Sequence, residues 1–480
     1  MKLSIFESHI TKKLKRTNTC PICSSDFVGS FIEFEIHVDK CLDAGQDDLK
    51  ETNSIDSGET TSGSDTIVNI SVSDSESKVS NPVRVDENKE PDIKLEKYTI
   101  PTSGKQSSKA DRKDNPKYKC PWYKHIPDTN FTMDAFNYGV IENCTIYFLS
   151  HFHSDHYVGL NSKFKGRIYC STVTAELVKL QLKVPTENIT ALPLNKRIEI
   201  EGHHVTLFDA NHCPGAAIFL FEINGEAGKR ILHTGDFRAC PDIWDRPELQ
   251  KQIDICYLDT TYCNPTYVFP SQQEILELLA EIATKVKAQQ SIQSVVAKNS
   301  ILNYFKPNQP RKTKCLFVIG TYLIGKEKVI KTVSKAIQSK IYVDKRKLEI
   351  YNCQEDDYLS SNLTTDPTDA DIHVTSMGSL EKKQLEAILQ KNKRYDRILA
   401  IGPTGWSFSK KQEFGLHTLQ IKKLSHNIDI LPIPYSEHSS FSELKTFVSQ
   451  LNIKKIVPTV NVAKAKEMVT LLTWALSADN

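Results

Sequence analysis

The densest chemistry in this chain lies at residues 151–156, where HFHSDH places His151, His153, Asp155 and His156 within six positions. Only 14 histidines occur in 480 residues, so chance crowding is a poor account of the cluster. On an extended strand end, alternate side chains share a face, which lets His151 and His153 point together. The chain must then turn, presenting Asp155 and His156 from the following loop. Two imidazoles on one ion and an Asp/His pair on a second make a workable dinuclear hydrolytic arrangement. Two further apolar runs end in polar residues and offer more ligands: His212 in DANHCPGA and Asp236 in HTGDFR. Gly215 and Gly235 beside them permit sharp turns. With two oxygens, Asp236 suits a bridging role. Cys213 and His233 are read as packing or supporting groups.

A second cluster stands near the N-terminus, where Cys20, Cys23, His37 and Cys41 have the spacing C-x2-C-x13-H-x3-C. Three thiolates and an imidazole at such spacings can close a tetrahedron on Zn²⁺. So short a unit has almost no core of its own, and the metal would supply its folding energy.

The elements that must position these residues alternate between β-rich runs and helical patterns. From Cys120 to about residue 270 the runs are short and strand-like, including CTIYFLSHFH, HHVTLFDANHCPG, AIFLFEI, RILHTGDF and DICYLDTTY. Beyond them, helical stretches such as QQEILELLAEIATKVK alternate with short strands such as KCLFVIGTY. The pattern predicts an α/β protein with an inserted α/β segment. Residues 43–112 are dominated by Ser, Thr, Asp, Glu and Lys. Such composition cannot bury enough apolar surface to offset chain entropy, so a disordered linker is expected.

Composition narrows the classes further. No apolar run approaches the roughly 20 residues that would span a bilayer. The start lacks the apolar centre of a secretory signal. Of the 12 cysteines, those outside the N-terminal cluster are scattered singly, which is no disulfide framework and implies a reducing compartment. Net charge is only +2, but residues 298–347 carry 13 Lys or Arg against Glu327 and Asp344, a block suited to a polyanion. KKLKR at 12–16 is a short basic patch of the nuclear-import type.

Together with Asp259 in YLDTTY, GPTGW at 402–406, His438 in PYSEHSS and Val460 in KKIVPTVN, these segments carry a family likeness. From about Cys120 to Trp474 the chain resembles the metallo-β-lactamase superfamily, its β-CASP branch, and within that the DNA cross-link repair exonucleases. The runs LSHFHSDHYVGL, GTYLIGKEKV and PYSEHSSFSEL support this most directly. CPIC…FEIHVDKCL resembles the ubiquitin-binding zinc fingers of DNA-repair proteins.

The resemblance implies a metallo-β-lactamase αββα sandwich with an inserted β-CASP α/β domain, preceded by a small zinc finger and a disordered linker. The corresponding divisions are 1–42 finger, 43–115 linker, 116–270 first part of the sandwich, 271–400 β-CASP domain and 401–480 returning part of the sandwich. It implies Zn²⁺ held by His151, His153, His212 and Asp236, with Asp155 orienting or deprotonating water and joining His156 on a second metal. Asp259 and His438 resemble the pair that positions the β-CASP site. Thr321, Tyr322, Lys326 and Ser439 are expected near a substrate phosphate. The implied activity is a nuclear 5′→3′ DNA exonuclease preferring a 5′-phosphate, with an endonuclease acting on RNA or on DNA hairpins as the alternative. RNA-processing relatives carry histidine where this chain has Val460, and an apolar residue there cannot ligate a metal. That favours DNA and weakens the second ion.

Three partner motifs complete the expectations. Asp39 occupies the position that contacts ubiquitin in the finger family. KNSILNYF, with Ile301, Tyr304 and Phe305, resembles a sliding-clamp docking motif, although Lys298 replaces its usual leading glutamine. In the linker, Ile67, Val68 and Ile70 ahead of serines and acids resemble a SUMO-interacting strand.

Overall fold

The computed structural model describes residues 16–19, 26–29, 119–225, 228–267, 269–288, 314–404, 419 and 421–473. Near the N-terminus, β1 (Arg16–Thr19) and β2 (Asp26–Gly29) pair antiparallel. The expectations placed on Cys20, Cys23, His37, Asp39, Cys41, Ile67, Val68, Ile70, Ile301, Tyr304 and Phe305 lie outside the described residues.

From residue 119 the chain builds two facing sheets. The first has five strands: β3 (His125–Ile126), β4 (Phe131–Met133), β5 (Ile146–Phe148), β6 (Arg167–Ser171) and β7 (Ile189–Leu192), in that order. The second begins with β8 (Arg197–Ile200), β9 (His203–Asp209), β10 (Ala217–Glu222), β11 (Arg230–His233) and β12 (Ile255–Leu258). The two-residue period of a strand explains the layering. In β10, Ala217, Phe219 and Phe221 enter one core while Ile218 and Leu220 enter another. In β5, Ile146 and Phe148 face inward and Tyr147 outward. Phe148 makes edge-on contacts with Phe131, Phe219 and Phe221 at ring distances of 5.5, 5.6 and 5.1 Å. Each such pair adds roughly 0.5–1.5 kcal/mol beyond its buried area. Outside the sheets, the helices Thr172–Leu177, Phe441–Gln450 and Ala465–Thr473 contribute Leu177, Phe447 and Leu472 to the outer core.

After β12 the chain leaves through residues 259–271 into the helix Gln272–Lys287, whose start is fixed by a capping box between Ser271 and Glu274. It then forms a third sheet: β13 (Cys315–Thr321), β14 (Lys340–Tyr342), β15 (Leu363–Thr364), β16 (Ala370–Ser376), β17 (Arg397–Pro403), β18 (Lys422–Lys423) and β19 (Ile428–Ile433). Its order is β15-β14-β16-β13-β17-β19-β18, and only β18 runs antiparallel to its neighbour. All seven residues of β13 are buried, as a central parallel strand covered on both faces requires. The helix Glu327–Ile337 covers one face and Lys382–Lys391 the other. The expected division at residue 400 falls inside β17, because the third sheet continues to Ile433. The chain then re-enters the sandwich through residues 434–440, and β20 (Ile456–Pro458) pairs parallel with β12.

This topology puts strand ends together. β4, β5 and β6 are parallel, as are β11, β12 and β20. Polar residues that follow these strands therefore collect at one rim of the sandwich, beside the two segments that connect the third sheet.

No helix among the described residues is long and apolar enough to cross a membrane. Of the basic block at 298–347, several described lysines are engaged internally. Lys331 pairs with Asp356 at 2.5 Å, Lys340 with Asp369 at 2.6 Å, and Lys347 donates to Leu323 O at 2.8 Å.

Candidate metal centre

His151 follows β5 and is fully buried. Its Nδ1 lies 2.9 Å from Ser150 Oγ, which itself donates to Asp134 Oδ2 at 2.8 Å. The hydroxyl must therefore accept from His151 Nδ1–H, which leaves Nε2 with a bare lone pair. His212, in the β9–β10 connection, donates Nδ1–H to Glu437 O at 2.8 Å, leaving its Nε2 bare as well. Both nitrogens lie 3.1 Å from His153 Nδ1. His153 Nε2 is buried and has no hydrogen-bond partner.

Burial, and in each case neighbouring imidazoles, hold the proton affinity of all three rings down: His151 and His212 well below the usual 6.5, and His153 to about 3. Two bare Nε2 lone pairs, from His151 and His212, thus converge on His153 Nδ1, and a neutral His153 adds a third lone pair at that point when its proton sits on Nε2. A cation placed there would be met by all three rings. Ligands about 2.0–2.1 Å from a tetrahedral Zn²⁺ would lie roughly 3.3 Å apart, close to the separations seen. Asp236 Oδ2 stands 3.8 Å from His151 Nε2. The donor set fits a divalent metal.

A second group adjoins it. His156 Nε2 lies 3.4 Å from Asp155 Oδ2 and 3.3 Å from Asp236 Oδ2, so the Asp236 oxygen stands between the two sets. His156 Nδ1 is 2.7 Å from Asp134 Oδ2. Burial opposes charge on His156, but Asp155, Asp236 and Asp134 outweigh it and raise its proton affinity well above 6.5. Reciprocally, burial would raise Asp134 and Asp155, yet His156 beside them holds both low.

The backbone explains why these turns form. Gly235, at φ +55°, precedes Asp236, and an added Cβ would come 2.9 Å from Ser150 Cβ. Gly215, at φ +82°, sits against Thr174, and its carbonyl accepts from Ser171 and Thr174 hydroxyls at 2.5 and 3.0 Å. Asp134 is itself left-handed at φ 50°, a conformation that Asp tolerates better than most residues.

A third group borders the rim. Asp259, after β12, is buried and accepts from Thr261 N and Oγ1 at 2.9 and 2.6 Å. His438 Nδ1 lies 2.9 Å from Asp259 Oδ2, and its Nε2 is 4.0 Å from Asp236 Oδ2. Burial disfavours the imidazolium, but the Asp259 and Asp236 carboxylates outweigh this and push His438 up to about 9. Val460, after β20, bonds through its backbone to Thr260 Oγ1, with its carbonyl accepting at 2.8 Å.

The remaining expected residues are placed as follows. Ser439 is beside the centre, but its hydroxyl donates to Phe237 O at 3.0 Å and accepts from Ala239 N at 2.9 Å. Thr321 Oγ1 donates to Thr375 O at 3.4 Å. Lys326 Nζ is buried 2.7 Å from Glu437 Oε2, and the ring of Tyr322 lies 5.8 Å from that ammonium. Cys213, expected to pack or support, borders the centre, its sulfur lying within 4.8 Å of nitrogens of His151, His153 and His212. His233 accepts from Gly235 N at 3.1 Å and stacks on Tyr257 at 5.3 Å, while burial lowers its proton affinity to about 4.

Sequence reading missed Asp134, Ser150, Glu437 and Arg238. Asp134 carried one signal: like Asp259 after ICYL, it is an acid directly after a short strand-like run, FTM.

Comparison with known proteins agrees with this fold. Residues 139–292 match a family model described as "Beta-lactamase superfamily domain", and residues 357–464 match "DNA repair metallo-beta-lactamase". The chain is 40% identical to the DNA cross-link repair protein SNM1 of Arabidopsis thaliana, over 77% of this chain and 72% of that one. It is 41% identical to the DNA cross-link repair 1A protein of Mus musculus, covering 75% of this chain but only 33% of the mouse protein. It is 34% identical to the 5′ exonuclease Apollo of Rattus norvegicus, over 70% of this chain and 54% of the relative. The chain belongs to the DNA cross-link repair family of metallo-β-lactamase-fold proteins.

Proposed function

We propose that this chain is a zinc-dependent 5′→3′ DNA exonuclease, preferring a 5′-phosphate, that hydrolyses phosphodiester bonds in the repair of interstrand cross-links. The observation that carries the reading is the convergence of ring nitrogens from His151, His153 and His212 beside Asp236, with the Asp259–His438 pair at its edge. The names of the relatives support DNA repair and, through Apollo, the 5′-exonuclease assignment.

His151, His153, His212 and Asp236 would hold one Zn²⁺, and Asp155 and His156, sharing Asp236, a weaker second. The ion supplies Lewis acidity toward a phosphoryl oxygen and a lowered pKa for water. Asp155 orients the attacking water and takes its proton. His438, held protonated by Asp259, faces the rim as a cation that neutralises the scissile phosphate or protonates the departing 3′-oxygen. In the same reading the protein works in the nucleus. The Cys20, Cys23, His37 and Cys41 unit carries a structural zinc and binds ubiquitin through Asp39. Ile67, Val68 and Ile70 take SUMO, and Ile301, Tyr304 and Phe305 take the sliding clamp.

The test is digestion of 5′-phosphorylated DNA, 5′-hydroxyl DNA and RNA by the purified chain. Rapid loss of the phosphorylated DNA from its 5′ end is expected, abolished by chelation, restored by Zn²⁺ and absent in Asp155→Ala. Equal digestion of 5′-hydroxyl DNA, or a preference for RNA, would sink the assignment. Within the site, Asp259→Asn and His438→Ala should each lower kcat by about 10²–10⁴-fold, the range for a positioned acid or base. The double variant should fall no further, since the pair acts as one unit. Additive losses in that cycle would show that the two residues work separately.

A further inference from the structure

We infer that the buried Lys326–Glu437 pair is a positioning device: it sets the direction of the His212 imidazole and ties the metal centre to the loop that follows the central strand of the third sheet. This rests on reading His212 as a metal ligand. The direction of His212 Nε2 depends on what its Nδ1–H bonds, and that partner is the Glu437 carbonyl at 2.8 Å. The place of residue 437 is in turn dictated by its own side chain. One carboxylate oxygen accepts from Lys326 N at 2.8 Å and the other from Lys326 Nζ at 2.7 Å. Both side chains are less than a tenth exposed.

The lysine has little room to move. Lys326 holds a left-handed backbone at φ 71° just before the helix Glu327–Ile337. Its ammonium stands 5.5 Å from the ring of Tyr435 and 5.8 Å from that of Tyr322, within cation–π range. The loop behind it is pinned as well: Gly325 N donates to Glu327 Oε1 at 3.0 Å, and Lys347 Nζ to Leu323 O at 2.8 Å. A Cβ at Gly325 would come 2.9 Å from Glu437 Oε2, so a side chain there would crowd the carboxylate. A rigid path therefore runs from β13, through residues 321–326 and Glu437, to the nitrogen of His212.

A carbonyl that bonds the far nitrogen of a ligand histidine tunes metal affinity. A pair that served only stability would leave that affinity alone. The measurement is a Co²⁺ titration of the metal-free full chain, following the visible d–d bands of nitrogen and oxygen ligation. Thiolate charge-transfer bands in the near ultraviolet report the cysteine cluster separately. Glu437→Gln and Lys326→Met should each weaken the nitrogen-ligated site by about 10–100-fold, the usual cost of removing such support. The double variant should lose no more than the worse single, and Lys331→Met on the same helix should bind as wild type. If Glu437→Gln fails to fold, Lys326→Arg carries the comparison, with weakened binding again expected. Wild-type affinity in variants that merely melt earlier overturns the coupling. A wild-type chain that shows no nitrogen-ligated Co²⁺ band rejects the ligand reading itself, a result separable from the first.

Discussion

Asp236→Asn should reduce phosphodiester turnover by at least about three orders of magnitude, the equivalent of roughly 4 kcal/mol of transition-state stabilisation at 1.36 kcal/mol per decade. One oxygen, Asp236 Oδ2, lies 3.8 Å from His151 Nε2, 3.3 Å from His156 Nε2 and 4.0 Å from His438 Nε2. The same residue belongs to two of the three groups of side chains able to hold an ion among the described residues. An amide at that point keeps the shape but removes the negative charge, and its NH₂ cannot ligate. Both metal sets and the approach of His438 are affected together. Single-turnover rates on a 5′-phosphorylated strand, with metal content measured on the same sample, check it. Near-normal turnover with full metal loading would mean that Asp236 does not bridge the two sets.

Arg238→Met should produce the largest loss of stability. Arg238 is 2% exposed, and its guanidinium reaches three separate segments. It contacts Glu443 through Nε and Nη2 at 2.9–3.1 Å, Ser436 O at 2.8 Å and Pro270 O at 3.0 Å, and it lies 5.0 Å from the Phe269 ring. Residue 270 belongs to the segment that leaves the sandwich and residue 436 to the one that returns. Arg238 therefore clamps both connections of the third sheet onto the strand end that carries Asp236. Methionine fills much of the volume but strands a carboxylate and two carbonyls. Breaking one side of a buried pair costs about 3–5 kcal/mol. At roughly 2–4 °C per kcal/mol, the melting temperature should fall by about 10 °C. Calorimetry decides the point, and a shift of under about 3 °C would show that the clamp is dispensable. Because the metal ligands are untouched, variant protein kept cold should still load metal.

The parts of this molecule that were legible in its sequence share a physical property: they are local. HFHSDH is recognisable because the strand period and the following turn act over six residues. The helical stretch QQEILELLAEIATKVK is recognisable because its apolar residues recur every three or four positions. Alternating apolar runs announced the strands of the sandwich for the same reason. The pairing of Asp259 with His438 spans 179 positions and was visible only through resemblance. Asp134, Ser150, Glu437 and Arg238 gave almost no sign, since an acid, a serine or an arginine in a loop has many ordinary uses.

Sequence alone determined the donor types, their spacing around residues 151–156, and an α/β chain with a second α/β unit set into it. Only the tertiary structure decided how those donors are prepared. Ser150 and the Glu437 carbonyl choose the tautomers of His151 and His212, the latter across 225 positions. Burial keeps three imidazoles neutral while Asp259 keeps His438 charged. The lysine expected near a phosphate is bound to a buried carboxylate. Tautomer, charge and engagement depend on which groups come within about 3 Å of each other and on how much water is excluded there. Both are set by contacts between strand ends that lie far apart along the chain.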